Sequence, residues 1–235
     1  MCGPPVTPAR LLGGPRGATV LRMRVAIAGG HGKIALLLAR LLADRGDAAL
    51  GLIRNREHAE DVRAAGAEPV LCDLEADDDV AAAVAGSDAV VFAAGAGPGS
   101  GAERKWTVDY GGAAKLVEAC RAAGIERYVM VSSIGADPDA PGDDAFAAYL
   151  RAKGRADAEL AASGLAYTIV RPGPLTDDPP TGGVTLGPDV PRAPITRADT
   201  AALVAACLAS PASAGRTFVA VNGDTPIEQA LTLLR

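Results

Sequence analysis

Residues 25–35 read Val25-Ala26-Ile27-Ala28-Gly29-Gly30-His31-Gly32-Lys33-Ile34-Ala35, a short apolar run, a glycine-rich turn and the start of a helical pattern. The spacing is GxxGxxA from Gly29 and GxGxxA from Gly30. Glycine lets the chain turn tightly and lets its backbone approach a pyrophosphate, whose charge the following helix N-terminus favours. A small third residue, here Ala35, allows the helix to pack closely on the strand. Gly29, Gly30, His31, Gly32, Lys33 and Ile34 are therefore the candidate phosphate-binding loop. The motif is weak alone and gains force only on the first strand of an alternating α/β series. An ordinary turn without a ligand is the alternative.

That alternation is present. Strand candidates are Arg24–Ala28, Ala48–Ile53, Glu68–Cys72, Ala89–Ala93, Tyr128–Ser132 and Tyr167–Val170. Helical patterns lie between them at Lys33–Arg45, Glu57–Ala65, Asp78–Ala85, Lys105–Ala123 and Phe146–Ser163. Ile34, Leu37, Leu38, Leu41 and Leu42 recur at helical spacing, with Gly46 as the stop. Continuous apolar strands between helices predict an α/β fold, a doubly wound parallel sheet of the Rossmann type covered on both faces. Residues 171–195 hold seven prolines, which predicts a loop leaving the sheet to cross over the site. A helix at Arg197–Ala209, a strand at Arg216–Val221 and a helix at Pro226–Leu234 follow. The expectation is one domain over 23–235, with 171–235 forming a small C-terminal cap on the substrate side.

With 235 residues, 49% hydrophobic and 22% charged, the chain can bury a substantial core. A net charge of −5 and few aromatic residues argue against a basic or base-stacking nucleic-acid surface. Cys2, Cys72, Cys120 and Cys207 make no CxxC pair and there are two histidines, so no metal site is expected. Scattered cysteines in a chain of this size read as reduced thiols of a cytoplasmic protein. No apolar run nears the roughly 20 residues that cross a bilayer. Residues 1–22 carry proline, glycine and arginine without an apolar signal core. They read as a disordered extension ahead of a candidate start at Met23.

The second strand ends Leu52-Ile53-Arg54-Asn55-Arg56, with no acid before Glu57. An acid there would hold a ribose 2′-hydroxyl, whereas arginine accommodates a 2′-phosphate with its fixed fork. Arg54 therefore favours NADP(H) over NAD(H), against the alternative of a solvated basic turn. Further along, Tyr149 and Lys153 form a YxxxK pair whose side chains share one helix face. A phenol is a poor base at neutral pH, and a neighbouring ammonium favours its ionised form.

The glycine loop, Cys72-Asp73-Leu74, Ala93-Ala94-Gly95, Val131-Ser132-Ser133, Tyr149-Leu150-Arg151-Ala152-Lys153 and Val170-Arg171-Pro172-Gly173 occur in that order. As a set they resemble the short-chain dehydrogenase/reductase superfamily, in its atypical, NmrA-like and NAD(P)-binding epimerase-like branch. The resemblance implies that Asp73, with Leu74, meets the adenine, and that Ala93, Ala94 and Gly95 lie along the ribose and pyrophosphate. It implies that Arg171, Pro172 and Gly173 line the nicotinamide side. Tyr149 would move the proton, Lys153 would also bind the nicotinamide ribose, and Ser133 would orient a substrate oxygen, with Ser132 as the substitute. Asp109 stands where many members have asparagine, which puts the usual proton relay in doubt. The implied function is an NADP-preferring oxidoreductase or epimerase transferring hydride to or from a small carbonyl or hydroxyl compound. The other reading is a non-catalytic NAD(P)H-responsive sensor. Asp77-Asp78-Asp79 and Arg197-Ala198-Asp199 read as structural, at helix starts.

Overall fold

Along the first strand, β1 (Arg24–Ala28), Val25 and Ile27 join one apolar layer and Ala26 and Ala28 join the other. Successive side chains on a strand point to opposite faces, so a strand covered on both sides must be apolar throughout. The computed structural model describes residues 22–76, 79–97 and 99–234. The expected extension therefore lies outside the described residues, apart from Arg22, as do Asp77 and Asp78.

From β1 the chain runs through α1 (Lys33–Asp44), β2 (Ala48–Ile53), a 3-10 turn at Arg56–His58, α2 (Ala59–Ala64) and β3 (Ala67–Leu71). Then come α3 (Val80–Val84), β4 (Ala89–Phe92), α4 (Ala102–Arg104), a π-helical stretch Lys105–Gly112 and α5 (Ala113–Ala123). The parallel half closes with β5 (Arg127–Val131), α6 (Ala145–Ala162) and β6 (Ala166–Pro172). These strands lie in the order β3-β2-β1-β4-β5-β6, all parallel. The order reverses between β1 and β4, where open α/β sheets bind ligands at the strands' carboxyl ends.

The proline-rich segment departs from expectation. Instead of leaving the sheet, it holds β7 (Leu175–Thr176), β8 (Gly183–Gly187) and β9 (Ile195–Thr196). After α7 (Arg197–Ala209), β10 (Arg216–Asn222) pairs parallel to β6, and β8 lies antiparallel to β10. The short β11 (Thr225–Pro226) pairs with β8, and α8 (Ile227–Leu233) ends the fold. The prolines bound β8 rather than interrupt it: Gly183-Val184-Thr185-Leu186-Gly187 contains none. The main sheet thus has nine strands. α1, α7 and α8 cover one face, while α3, α5 and α6 cover the other. The expected helix Lys105–Ala123 also breaks into the π-helical stretch and α5, around Gly111 and Gly112.

Asp199 at the start of α7 ties the C-terminal part together, as its place in the sequence suggested. It is buried and accepts from Thr181 N and Oγ1, Gly182 N, Thr196 Oγ1 and Asn222 Nδ2. Burial pushes its carboxyl pKa up, but these donors outweigh burial and hold it below the usual carboxylate range. The stability it contributes is present above the unfolded pKa and is lost as pH falls through the folded one. Burial also pushes the Cys120 and Cys207 thiols up to about 12, which leaves them inert packing groups.

Candidate functional site

A cleft of about 380 Å³ opens at the carboxyl ends of β1, β2, β3 and β4. Gly29, His31 and Gly32 form its floor, with Arg54, Asp73, Leu74, Glu75 and Ala93 to Gly97 around it. Gly29 has φ +78° and packs so closely on the segment after β4 that an added Cβ would stand 2.6 Å from Ala94 Cα. Only glycine meets both demands. Gly32 donates to Gly29 O at 2.8 Å and caps α1, leaving the first helical N–H groups facing the cleft. The cradle fits a pyrophosphate.

The other loop residues divide. Gly30 is a packing residue, where an added Cβ would meet Gly51 Cα at 2.6 Å. Ile34 belongs to the core. Lys33 is exposed and pairs with Asp177 at 2.6 Å, while Asp177 also takes Arg197 at 2.9 Å. His31 lines the cleft, gives Nε2 to Asp61 at 2.8 Å and stacks on His58 with ring centroids 3.7 Å apart. The chain's two histidines thus meet in the cleft lining, and nothing in their sequence spacing announced the pairing.

At the far end of β2, Arg54 Nη1 contacts Glu75 Oε2 at 3.2 Å. Glu75 is held more firmly by Arg104, at 2.7 and 3.2 Å, and by Thr107 Oγ1 at 2.7 Å. The Arg104 hydrogen bond, helped by Thr107 and Arg54 against desolvation, holds the Glu75 carboxyl below the usual range. Asp73 lines the cleft, and its Oδ1 accepts from Glu75 N at 2.9 Å, the contact of a turn residue.

Beyond Ala94 the cleft wall meets the YxxxK pair. Lys153 is 3% exposed. Its Nζ reaches Val131 O at 3.2 Å, Asp109 Oδ1 at 3.3 Å and Ala94 O at 3.5 Å. The ammonium also stands 5.1 Å from the Phe92 ring and 6.0 Å from the Tyr149 ring. The Ala94 contact is the longest of the three. Asp109, on the π-helical stretch, accepts from Ala96 N at 3.1 Å. One buried carboxylate thus braces both the lysine and the cleft wall. Lys105, on the same stretch, lies 5.5 Å from the Tyr149 ring and donates to Gly97 O.

The two serines separate cleanly. Ser133 is partly exposed, its hydroxyl donating to Ile134 O at 3.3 Å. Ser132 is buried beside Asp157: its hydroxyl favours that carboxylate, though no well-formed hydrogen bond joins them. Asp157, one turn beyond Lys153 on α6, pairs with Arg171 Nε at 2.8 Å. Burial raises its carboxyl pKa, with Ser132, Arg171 and Lys153 opposing. Arg171 is thus paired with α6 and lies outside the lining of the 380 Å³ cleft. Pro172 is buried in β6, and Gly173 is filled by the Ala193 carbonyl. Asp157, Glu75 and His58 went unnoticed in the sequence.

A protein-family model described as NAD(P)H-binding matches residues 29–211. The chain belongs to the NAD(P)H-binding family. It is 41% identical over 214 residues to the uncharacterized sugar epimerase YhfK of Bacillus subtilis (strain 168), covering 90% of this chain and 100% of the relative. A solved protein of Bacillus halodurans, provisionally named an NAD-dependent epimerase/dehydratase, is 42% identical with a TM-score of 0.84. The alignment covers 89% of this chain and 99% of that one. The oxidoreductase ylbE of Lactococcus lactis is 28% identical with a TM-score of 0.79, over 89% and 95% of the two chains. Among the described residues of this NAD(P)H-binding protein, no helix is long and apolar enough to cross a membrane. No cluster of three metal-ligating side chains occurs among them either.

Proposed function

We propose that this NAD(P)H-binding protein is a cytoplasmic oxidoreductase or epimerase that prefers NADP(H) to NAD(H). Its substrate is a small carbonyl or hydroxyl compound, and Tyr149 moves the proton. One observation carries the reading. Lys153 is buried where the cleft wall at Ala94 meets the ring of Tyr149. A bound nicotinamide would supply or take the hydride.

The remaining work falls to the protein. Gly29, Gly32 and the N-terminus of α1 receive the pyrophosphate, Asp73 and Leu74 meet the adenosine, and Arg54 takes the 2′-phosphate. The Lys153 ammonium favours ionisation of Tyr149, which exchanges a proton with the substrate oxygen. Ser133, the more exposed serine, orients that oxygen. The short stretch of chain after Arg171 offers few groups for gripping a large nucleotide sugar, which supports a small substrate.

Titration with NADPH and NADH, read by nucleotide fluorescence and thermal shift, tests the cofactor site. Wild type is expected to bind NADPH more tightly. Arg54→Ala should lose about tenfold or more for NADPH, the scale of a charge-assisted hydrogen bond, with little change for NADH. Equal affinities in wild type would sink the preference. Tyr149→Phe is expected to lower NADPH-dependent turnover of a carbonyl panel by about 10²-fold or more, with NADPH affinity unchanged within about twofold. Unchanged turnover removes Tyr149 from the chemistry. Tight binding with no turnover in wild type would favour the sensor reading.

A further inference from the structure

We propose that Glu75 restrains 2′-phosphate binding at Arg54 by its charge, and so sets how strongly the cleft distinguishes NADP(H) from NAD(H). The inference rests on the reading that Arg54 seats the 2′-phosphate. Both residues line the same cleft.

The contacts around Glu75 are unequal. Oε2 takes Arg104 Nη2 at 2.7 Å and Nε at 3.2 Å, and Oε1 takes Thr107 Oγ1 at 2.7 Å. Arg54 adds one N–H at 3.2 Å. Its side chain is 53% exposed, so it can leave this contact for a phosphate with little loss. Glu75 cannot follow, because Arg104 and Thr107 hold it from α4 and the π-helical stretch.

A carboxylate offers about four acceptor positions, two on each oxygen; three donors crowd Oε2 of Glu75 and one reaches Oε1. That leaves at most one Oε1 position, beside Thr107, for a ribose hydroxyl, the part an acid plays in NAD-selective sites. What remains besides is its negative charge, fixed beside the guanidinium that receives the phosphate. Two anions on one arginine repel, by about a factor of ten in affinity at this range and exposure. Glu75 thus acts on NADP(H) through its charge far more than on NAD(H) through its one open acceptor position.

The test is Glu75→Gln, which removes the charge, keeps one carbonyl acceptor for Arg104 and turns the other atom into an N–H donor that Thr107 Oγ1 can accept. NADPH and NADH affinities are measured by titration at low and at physiological salt. NADPH is expected to bind about tenfold more tightly than to wild type, NADH to change by less than about twofold, and the NADPH gain to shrink with salt. Glu75→Ala gives the same sign should the glutamine variant not fold. Weaker NADH binding in the variant makes Glu75 a ribose ligand and overturns the proposal, as do unchanged affinities or equal tightening of both nucleotides. Failure of the underlying reading is separately visible: Arg54→Ala would then leave NADPH binding intact.

Discussion

Gly154→Ala is expected to destabilise the fold by about 3 kcal/mol or more, at or beyond the upper end of overpacking effects. The sign opposes helix propensity, since alanine in a helix interior gains about 1 kcal/mol over glycine. Gly154 lies inside α6. An added Cβ would stand 2.3 Å from both Asp137 C and Pro138 N. Those are backbone atoms with no rotamer to change, so either the 137–138 turn or the helix must move. Tyr149 and Lys153 ride on α6 and would move with it. Denaturant unfolding should show a lower midpoint with an unchanged slope, and thermal unfolding a drop of about 6–12 °C. A midpoint at or above wild type would show that the turn yields freely.

The second large effect lies in the buried pair under the cleft wall. Asp109 is 1% exposed and Lys153 3% exposed, 3.3 Å apart. Asp109→Ala leaves the ammonium buried without this counter-ion and Ala96 N without its acceptor. The expected loss is about 4 kcal/mol, the range for breaking a buried ion pair from one side. Asp109→Asn keeps an acceptor for Ala96 and should fall between. The double variant Asp109→Ala with Lys153→Met should recover part of the loss, because removing both charges avoids the stranded one. A double variant less stable than Asp109→Ala alone would show that Lys153 is stabilised by its carbonyl contacts, not by Asp109.

Both predictions concern contacts invisible to local pattern. Gly154 reads in sequence as a weak point in an alanine-rich helix, and the turn that excludes a side chain there lies beyond the helix start. Asp109 reads as a departure from asparagine. Its use becomes clear only when the π-helical stretch sets it against Lys153 and Ala96. Arg171, in β6, is a further case: the family resemblance implied the nicotinamide side for it, and its pairing with Asp157 of α6 at 2.8 Å is something the sequence did not announce.

The glycine loop, the six parallel strands and the helices around them were legible because their signals are local. Apolar runs, helical spacing and glycine stops depend on residues a few positions apart, and the switch point between β1 and β4 follows from chain order with right-handed crossovers. The position of Arg54 at the end of β2, on the rim of the cleft, was legible for the same reason. The tertiary structure alone decided that β8 enters the sheet, that Ser132 is buried while Ser133 is not, and that Glu75 stands against Arg54. Glu75 and Arg104 are 29 positions apart and meet only after the chain has crossed the sheet. Sequence spacing carries no information about such a meeting: it is set by which side chains the packed layers leave facing the same space.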